Sequence, residues 1–99
     1  GGPKFIERYK ARFNLDIQLY APYAYDAVMV TVEAIKRAGA AGSIEPAKIL
    51  AELPKTDHQG VTTRINFDAN GDLKDGAVTL YTAKGGKWAA MDTIGGLAK

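Results

Sequence analysis

Histidine occurs once in this 99-residue chain, as His58 between Asp57 and Gln59, and serine once, as Ser43. An imidazole beside a carboxylate is raw material for acid–base catalysis, but a triad also needs a nucleophile converging on the ring. Neighbouring residues of an extended chain point to opposite sides, so Asp57 and His58 diverge. His58 is read as a surface-loop residue and Ser43 as a helix cap. Asp68-x-Asn70-x-Asp72 copies the first three oxygen ligands of a calcium loop. That loop then requires glycine at its sixth position and glutamate at its twelfth, where this chain has Leu73 and Thr79. Gly85-Gly86-Lys87 ends like a phosphate loop but lacks its leading glycine, and Trp88 stands where Ser or Thr is needed. Both stretches read as turns. No metal and no cofactor is expected.

The aromatic group around Pro22 is of more interest. Tyr20, Tyr23 and Tyr25 cluster there, and Gln18 lies two residues before Tyr20. In open α/β sheets, ligands bind in the crevice outside the carboxyl ends of the strands. On a strand, Gln18 and Tyr20 would share a face, placing an amide and an amphipathic ring beside such a crevice. These two are the candidate ligand-binding residues. Tyr23 and Tyr25 are expected to pack the following helix into the core.

The elements that position them read as helix, strand, helix, helix and three strands. Pro3 suits a first helical turn, and Phe5, Ile6, Tyr9 and Phe13 form one apolar stripe that Asn14 stops. Leu15–Tyr20 alternates as a short strand. The longest helix is expected over Tyr23–Ala38, with Tyr25, Val28, Val32 and Ile35 on one face, small Ala24, Ala27 and Ala34 for close approach, and Gly39 as its end. Ser43 is expected to cap a short helix carrying Ile49, Leu50 and Leu53, which Pro54 stops. From Val61 to Phe67 the residues alternate as a strand. Asn70-Gly71 supplies positive φ for a turn, and runs from Ala77 to Thr82 and Lys87 to Met91 flank the Gly85-Gly86 reversal. Gly95-Gly96 reads as a frayed tail.

Composition excludes several classes. The chain is 46% hydrophobic and 24% charged, which suits a folded soluble domain rather than a disordered one. Thirteen basic residues are dispersed among eleven acidic ones, for a net charge of +2. The only tight basic pair, Lys36-Arg37, complements the dipole at a helix end, so nucleic acid is not an expected partner. Without cysteine there is no disulfide, iron–sulfur cluster or thiolate zinc site. The beginning Gly1-Gly2-Pro3, with no initiator Met, is not that expected of a natural full-length protein and fits appended residues, a proteolytic end or an interior piece of a longer chain.

Tyr20–Gly39 (YAPYAYDAVMVTVEAIKRAG), Ile49–Thr56 (ILAELPKT) and Gly60–Trp88 (GVTTRINFDANGDLKDGAVTLYTAKGGKW) follow the helix PKFIERYKARF in that order. Together they resemble the C-terminal quarter of periplasmic branched-chain amino-acid (Leu/Ile/Val) binding proteins, the solute receptors of ABC transporters. The resemblance implies an α/β chain that is the C-terminal portion of the two-lobed type I periplasmic-binding-protein (Venus-flytrap) fold. Residues 1–99 would be a single partial domain, with 1–76 mainly N-terminal-lobe and crossover elements and 77–99 a hairpin and tail packing on the other lobe. It implies a non-enzymatic receptor that closes on an amino acid, delivers it to a membrane permease and is periplasmic, its precursor carrying a signal peptide. Gln18 falls where relatives often place an aromatic residue against the ligand side chain. That departure points beyond strict branched-chain specificity, to a more polar amino acid or a small carboxylate. The family's main grips on the ligand lie outside this stretch. The alternative reading is a structural or interaction module, or a self-associating piece that binds no ligand.

Overall fold

The computed structural model describes residues 1–96. The first helix, α1, runs Gly2–Phe13 with Pro3 in its opening turn and Lys10 and Arg12 in its last. It stops at Asn14, which adopts the left-handed conformation at φ 50 and donates its N–H to the Lys10 carbonyl at 2.8 Å. Lys10 then reaches forward to Asp16, its Nζ 2.6 Å from Oδ1. The stripe read from the sequence is real: the Phe5, Tyr9 and Phe13 rings follow one another, at 6.3 and 4.8 Å between centroids. Tyr25 of the next helix stands 5.0 Å from Phe5 and joins the two helices.

Leu15–Tyr20 is not a strand. The stretch crosses between helices as irregular chain and ends in a turn, the Ala21 N–H reaching the Gln18 carbonyl at 3.2 Å. A strand exists only by pairing, and no described segment lies alongside to take its hydrogen bonds.

Helix α2, Ala21–Ala40, exceeds its expected span at both ends. Pro22 does not precede it but sits in its first turn, where a missing N–H costs nothing. Gly39 does not end it either. The Ser43 N–H bonds the Ala38 carbonyl at 3.1 Å and the Gly42 N–H the Gly39 carbonyl at 3.0 Å, a Schellman closure with Gly42 at φ 111 in the left-handed position. The buried row is Asp26, Val30, Ala34 and Ala38, each one turn from the next. Of the larger residues, Val28, Val32 and Ile35 are exposed, and Tyr25 is half-exposed against Phe5. Small side chains on the inner row let the rest of the chain approach closely, which a row of large ones would prevent.

Helix α3, Pro46–Glu52, has Glu45 as its N-cap; Ser43 does not cap it but accepts the Glu45 N–H at 3.3 Å. Beyond it the chain tightens into a 3₁₀ turn, Leu53–Lys55, which has Pro54 inside it. Arg37 ties α2 to this corner: its guanidinium donates to the Glu52 carbonyl at 3.0 Å and to the hydroxyl of buried Thr56 at 3.4 Å.

Two separate antiparallel pairs replace the expected three-strand run. The first joins β1, Asp57–Gln59, to β2, Arg64–Asn66, with His58 opposite Ile65. Val61–Thr63 is a bend between them, not the start of the strand. The second pairs β3, Ala77–Lys84, with β4, Lys87–Gly95. Gly95 is thus a paired strand residue opposite Ala77, and the Gly96 N–H bonds the Gly76 carbonyl at 3.1 Å, which corrects the frayed-tail reading. Between the two pairs, Asp68 Oδ1 accepts the Asn70 and Asp72 N–H groups at 2.8 and 3.0 Å, so this carboxylate closes its own turn. Of Asn70 and Gly71, only Gly71 has positive φ.

The core is thin. Buried apolar residues are Val30, Ala34, Ala38 and Ile65. The accessible surface is 7835 Å², against about 5,500 Å² for a compact monomer of this mass. The radius of gyration, 16.3 Å, likewise exceeds the roughly 13 Å of a compact 100-residue domain. The excess is apolar in good part: Val78, Leu80, Tyr81, Trp88, Met91 and Ile94 of the hairpin all stand in solvent.

Candidate functional site

His58 is not a surface-loop residue. It lies in β1, mostly covered, with Nδ1 2.8 Å from Glu33 Oε1 on α2. Asp57, its neighbour, points away and takes a two-pronged contact from Arg64 across the β1–β2 pair, at 2.7 and 2.8 Å. That hydrogen-bonded guanidinium holds the Asp57 carboxyl below its usual range, and the carboxylate in turn raises Arg64. Lys10 lowers Asp16 in the same manner. These are ties within the fold, and among the described residues the hydrogen-bond partner of the imidazole is the Glu33 carboxylate.

Gln18 and Tyr20 part company in the structure. Gln18 lines a groove of about 540 Å³ formed where α1, the first turn of α2 and the Val61–Thr62 bend meet. Its walls are apolar, supplied by Phe5, Ile6, Ile17, Leu19, Pro22 and Val61. Tyr20 sits at the N-cap of α2, is 74% exposed, and does not line this groove. The tyrosine that shares the groove with Gln18 is Tyr23, 58% exposed rather than packed in the core. Tyr23 and Thr62 also border a second groove of about 620 Å³, which extends beneath β2 towards Thr79 and Thr93. A third concavity, about 730 Å³, lies along the aromatic row of α1 and contains neither predicted residue.

What fixes the groove is Asp26, 2% exposed and missed by the sequence reading. Its carboxylate accepts the Val61 N–H at 2.9 Å, the Thr62 N–H at 2.9 Å, and the Thr62 hydroxyl. A buried carboxylate requires such donors, and two of these come from backbone that belongs to no strand. Gly60 makes the approach possible. A Cβ there would lie 2.7 Å from the Asp26 Cγ and 2.9 Å from Oδ1, inside contact distance. The signal for Asp26 was present: it occupies the same four-residue row as Val30, Ala34 and Ala38. A carboxylate on a row of small apolar residues is buried with a purpose.

With this geometry in view, the chain has clear counterparts. The family model described as the receptor family ligand binding region matches residues 5–86. A solved leucine-binding protein, LivK from Thermotoga maritima, is 34% identical and superimposes with a TM-score of 0.75. That match covers 94% of this chain and 26% of the other, so the chain spans about a quarter of its relative's length. No curated protein matches the chain. Among the described residues no helix is long and apolar enough to cross a membrane.

Proposed function

The chain belongs to the receptor ligand-binding-region family, with the type I periplasmic-binding-protein fold, its helices followed by strands as in the C-terminal portion, and on that premise we propose that it is part of an extracytoplasmic solute-binding protein that captures an amino acid for an ABC transporter permease. The observation that carries the reading is the joint sequence and structural match to a leucine-binding protein over nearly the whole chain. Its role is binding without chemistry, in the periplasm. Residues 1–76 belong chiefly to the N-terminal lobe and crossovers, and 77–99 pack on the other lobe. Residues 97–99 of that span lie outside those described. Two facts support the division: the hairpin pairs mainly with itself, and its apolar side chains await cover.

Gln18 lines the ligand side of the site, and Tyr20 joins it from the rim on lobe closure. An amide among aliphatic walls favours a small amino acid whose side chain is aliphatic or uncharged and polar. The test is a chimera in which these 99 residues replace the matching quarter of the Thermotoga protein. Calorimetry with leucine, valine, alanine and glutamine should show micromolar or tighter binding of at least one, with Gln18→Phe shifting preference towards leucine. A folded chimera that binds none of the four refutes the proposal. The 99 residues alone should show no isotherm in the micromolar range. The excess apolar surface favours one further reading, self-association of the isolated chain.

A further inference from the structure

We propose that Asp26 sets the hydrogen-bonding polarity of the groove, so that Thr62 presents only an acceptor and the site selects a ligand carrying a donor, an ammonium or amide N–H, over one carrying a carbonyl in its place. This rests on the groove being the amino-acid site. A hydroxyl offers one proton and two lone pairs, whereas a carboxylate accepts only. The Asp26 carboxylate stands within hydrogen-bond distance of the Thr62 hydroxyl, so the Thr62 proton points at Asp26. Whatever Thr62 Oγ1 offers a groove ligand is therefore a lone pair. The hydroxyl cannot rotate to serve an acceptor without leaving the buried carboxylate short of a donor, a cost of about one charge-assisted bond. Two backbone N–H groups hold the other positions on the same carboxylate at 2.9 Å each, so Asp26 cannot follow such a rotation. Gly60 closes in behind it. Thr62 borders the groove of Gln18 and Tyr23, and the remaining walls are apolar. Its fixed acceptor differs from the other polar side chains of the groove, since an amide such as Gln18 carries both donor and acceptor and a phenol such as Tyr23 can turn.

The experiment uses the ¹⁵N-labelled 99-residue chain at millimolar ligand, comparing L-leucine with 4-methyl-2-oxopentanoate, which keeps the carbon skeleton and carboxylate but replaces the ammonium with a ketone. In the native chain leucine should shift the Gln18, Tyr23 and Thr62 amides and bind about three- to tenfold more tightly than the keto acid. Thr62→Val removes the hydroxyl with little change of shape and should bring the ratio to about one. Asp26→Asn, whose amide can donate to Thr62 and turn its proton into the groove, should lower or invert the ratio. If that variant unfolds, Thr62→Val alone decides. Equal affinities in the native chain, or an unchanged ratio in Thr62→Val, overturn the polarity proposal while leaving the groove as a site. Groove amides unmoved by either ligand overturn the site and the polarity together.

Discussion

Removing the Asp26 carboxylate should be the most damaging single truncation in the body of the chain. Asp26→Ala strips the acceptor from two backbone N–H groups and one hydroxyl at once. Each bond to a charged group contributes about 1.5–3 kcal/mol, which would total about 4.5–9 kcal/mol if the three were independent. They are not, because one carboxylate orders all three donors, and the Thr62 side opens onto two grooves from which water can enter. The expected loss is therefore about 3–4 kcal/mol. Thr62→Val, which removes only the hydroxyl bond, should cost about 1.5 kcal/mol, the low end for a bond to a charged group because water can enter from the grooves on this side. A small domain with a thin core has a total stability of only about 5 kcal/mol, so Asp26→Ala lies close to the unfolding threshold. Urea titration followed by helical circular dichroism measures both variants, with the slope checked for constancy. A loss below about 1 kcal/mol for Asp26→Ala, or equal losses for the two variants, refutes the view that this carboxylate organises the bend.

Gly60→Ala should approach the cost of losing the Asp26 contacts, about 2–3 kcal/mol in the same titration, because its Cβ collides with the carboxylate group rather than with a flexible side-chain end. The Asp57–Arg64 tie should weaken in acid. The folded carboxyl is held low, so its contribution is complete above the unfolded value and is lost as pH falls through the folded one, below about pH 4; in Arg64→Gln, carboxyl NMR should find Asp57 titrating higher. Gly85 and Gly86 take φ 59 and 74, as a two-residue I′ turn requires, so replacing both with alanine should cost about 1–2 kcal/mol and broaden the hairpin amides in NMR. Sedimentation should show the isolated chain associating as concentration rises, whereas a monomer at every concentration would contradict the weight given to its exposed apolar surface.

The sequence reading was strongest where a local signal was also the deciding force. Phe5, Tyr9 and Phe13 at helical spacing, Asn14 as a stop and the two glycines of the hairpin turn are found as expected. The quoted segments also led to the correct family. The reading failed where partners at a distance decide. Leu15–Tyr20 alternates like a strand but has nothing to pair with, while the polar Asp57–Gln59 becomes a strand because Arg64–Asn66 lies opposite. On α2, hydrophobicity suggested the wrong face: Val28 and Val32 look outward, and the inner row is chosen by size and by the donors awaiting Asp26. Gln18 is in a groove, but the tyrosine that shares it is Tyr23, because the chain turns at Gln18–Ala21 instead of running straight.

The β3–β4 hairpin has a consequence for the order in which the molecule opens. Its strands are joined by two residues and paired from Ala77–Gly95 to Lys84–Lys87, with Met91 left over between the partners of Leu80 and Tyr81. Nearly all its contacts are therefore short-range in sequence, and a ribbon of this kind closes in about 1–10 μs. The Asp26 bonds, by contrast, span 35 and 36 residues and require α2, α3 and the first strand pair to be in place together. Amide hydrogen exchange should accordingly separate the chain into two cooperative units: a ribbon that frays and reseals often, and a helical body whose Val61 and Thr62 amides exchange only when the whole body opens.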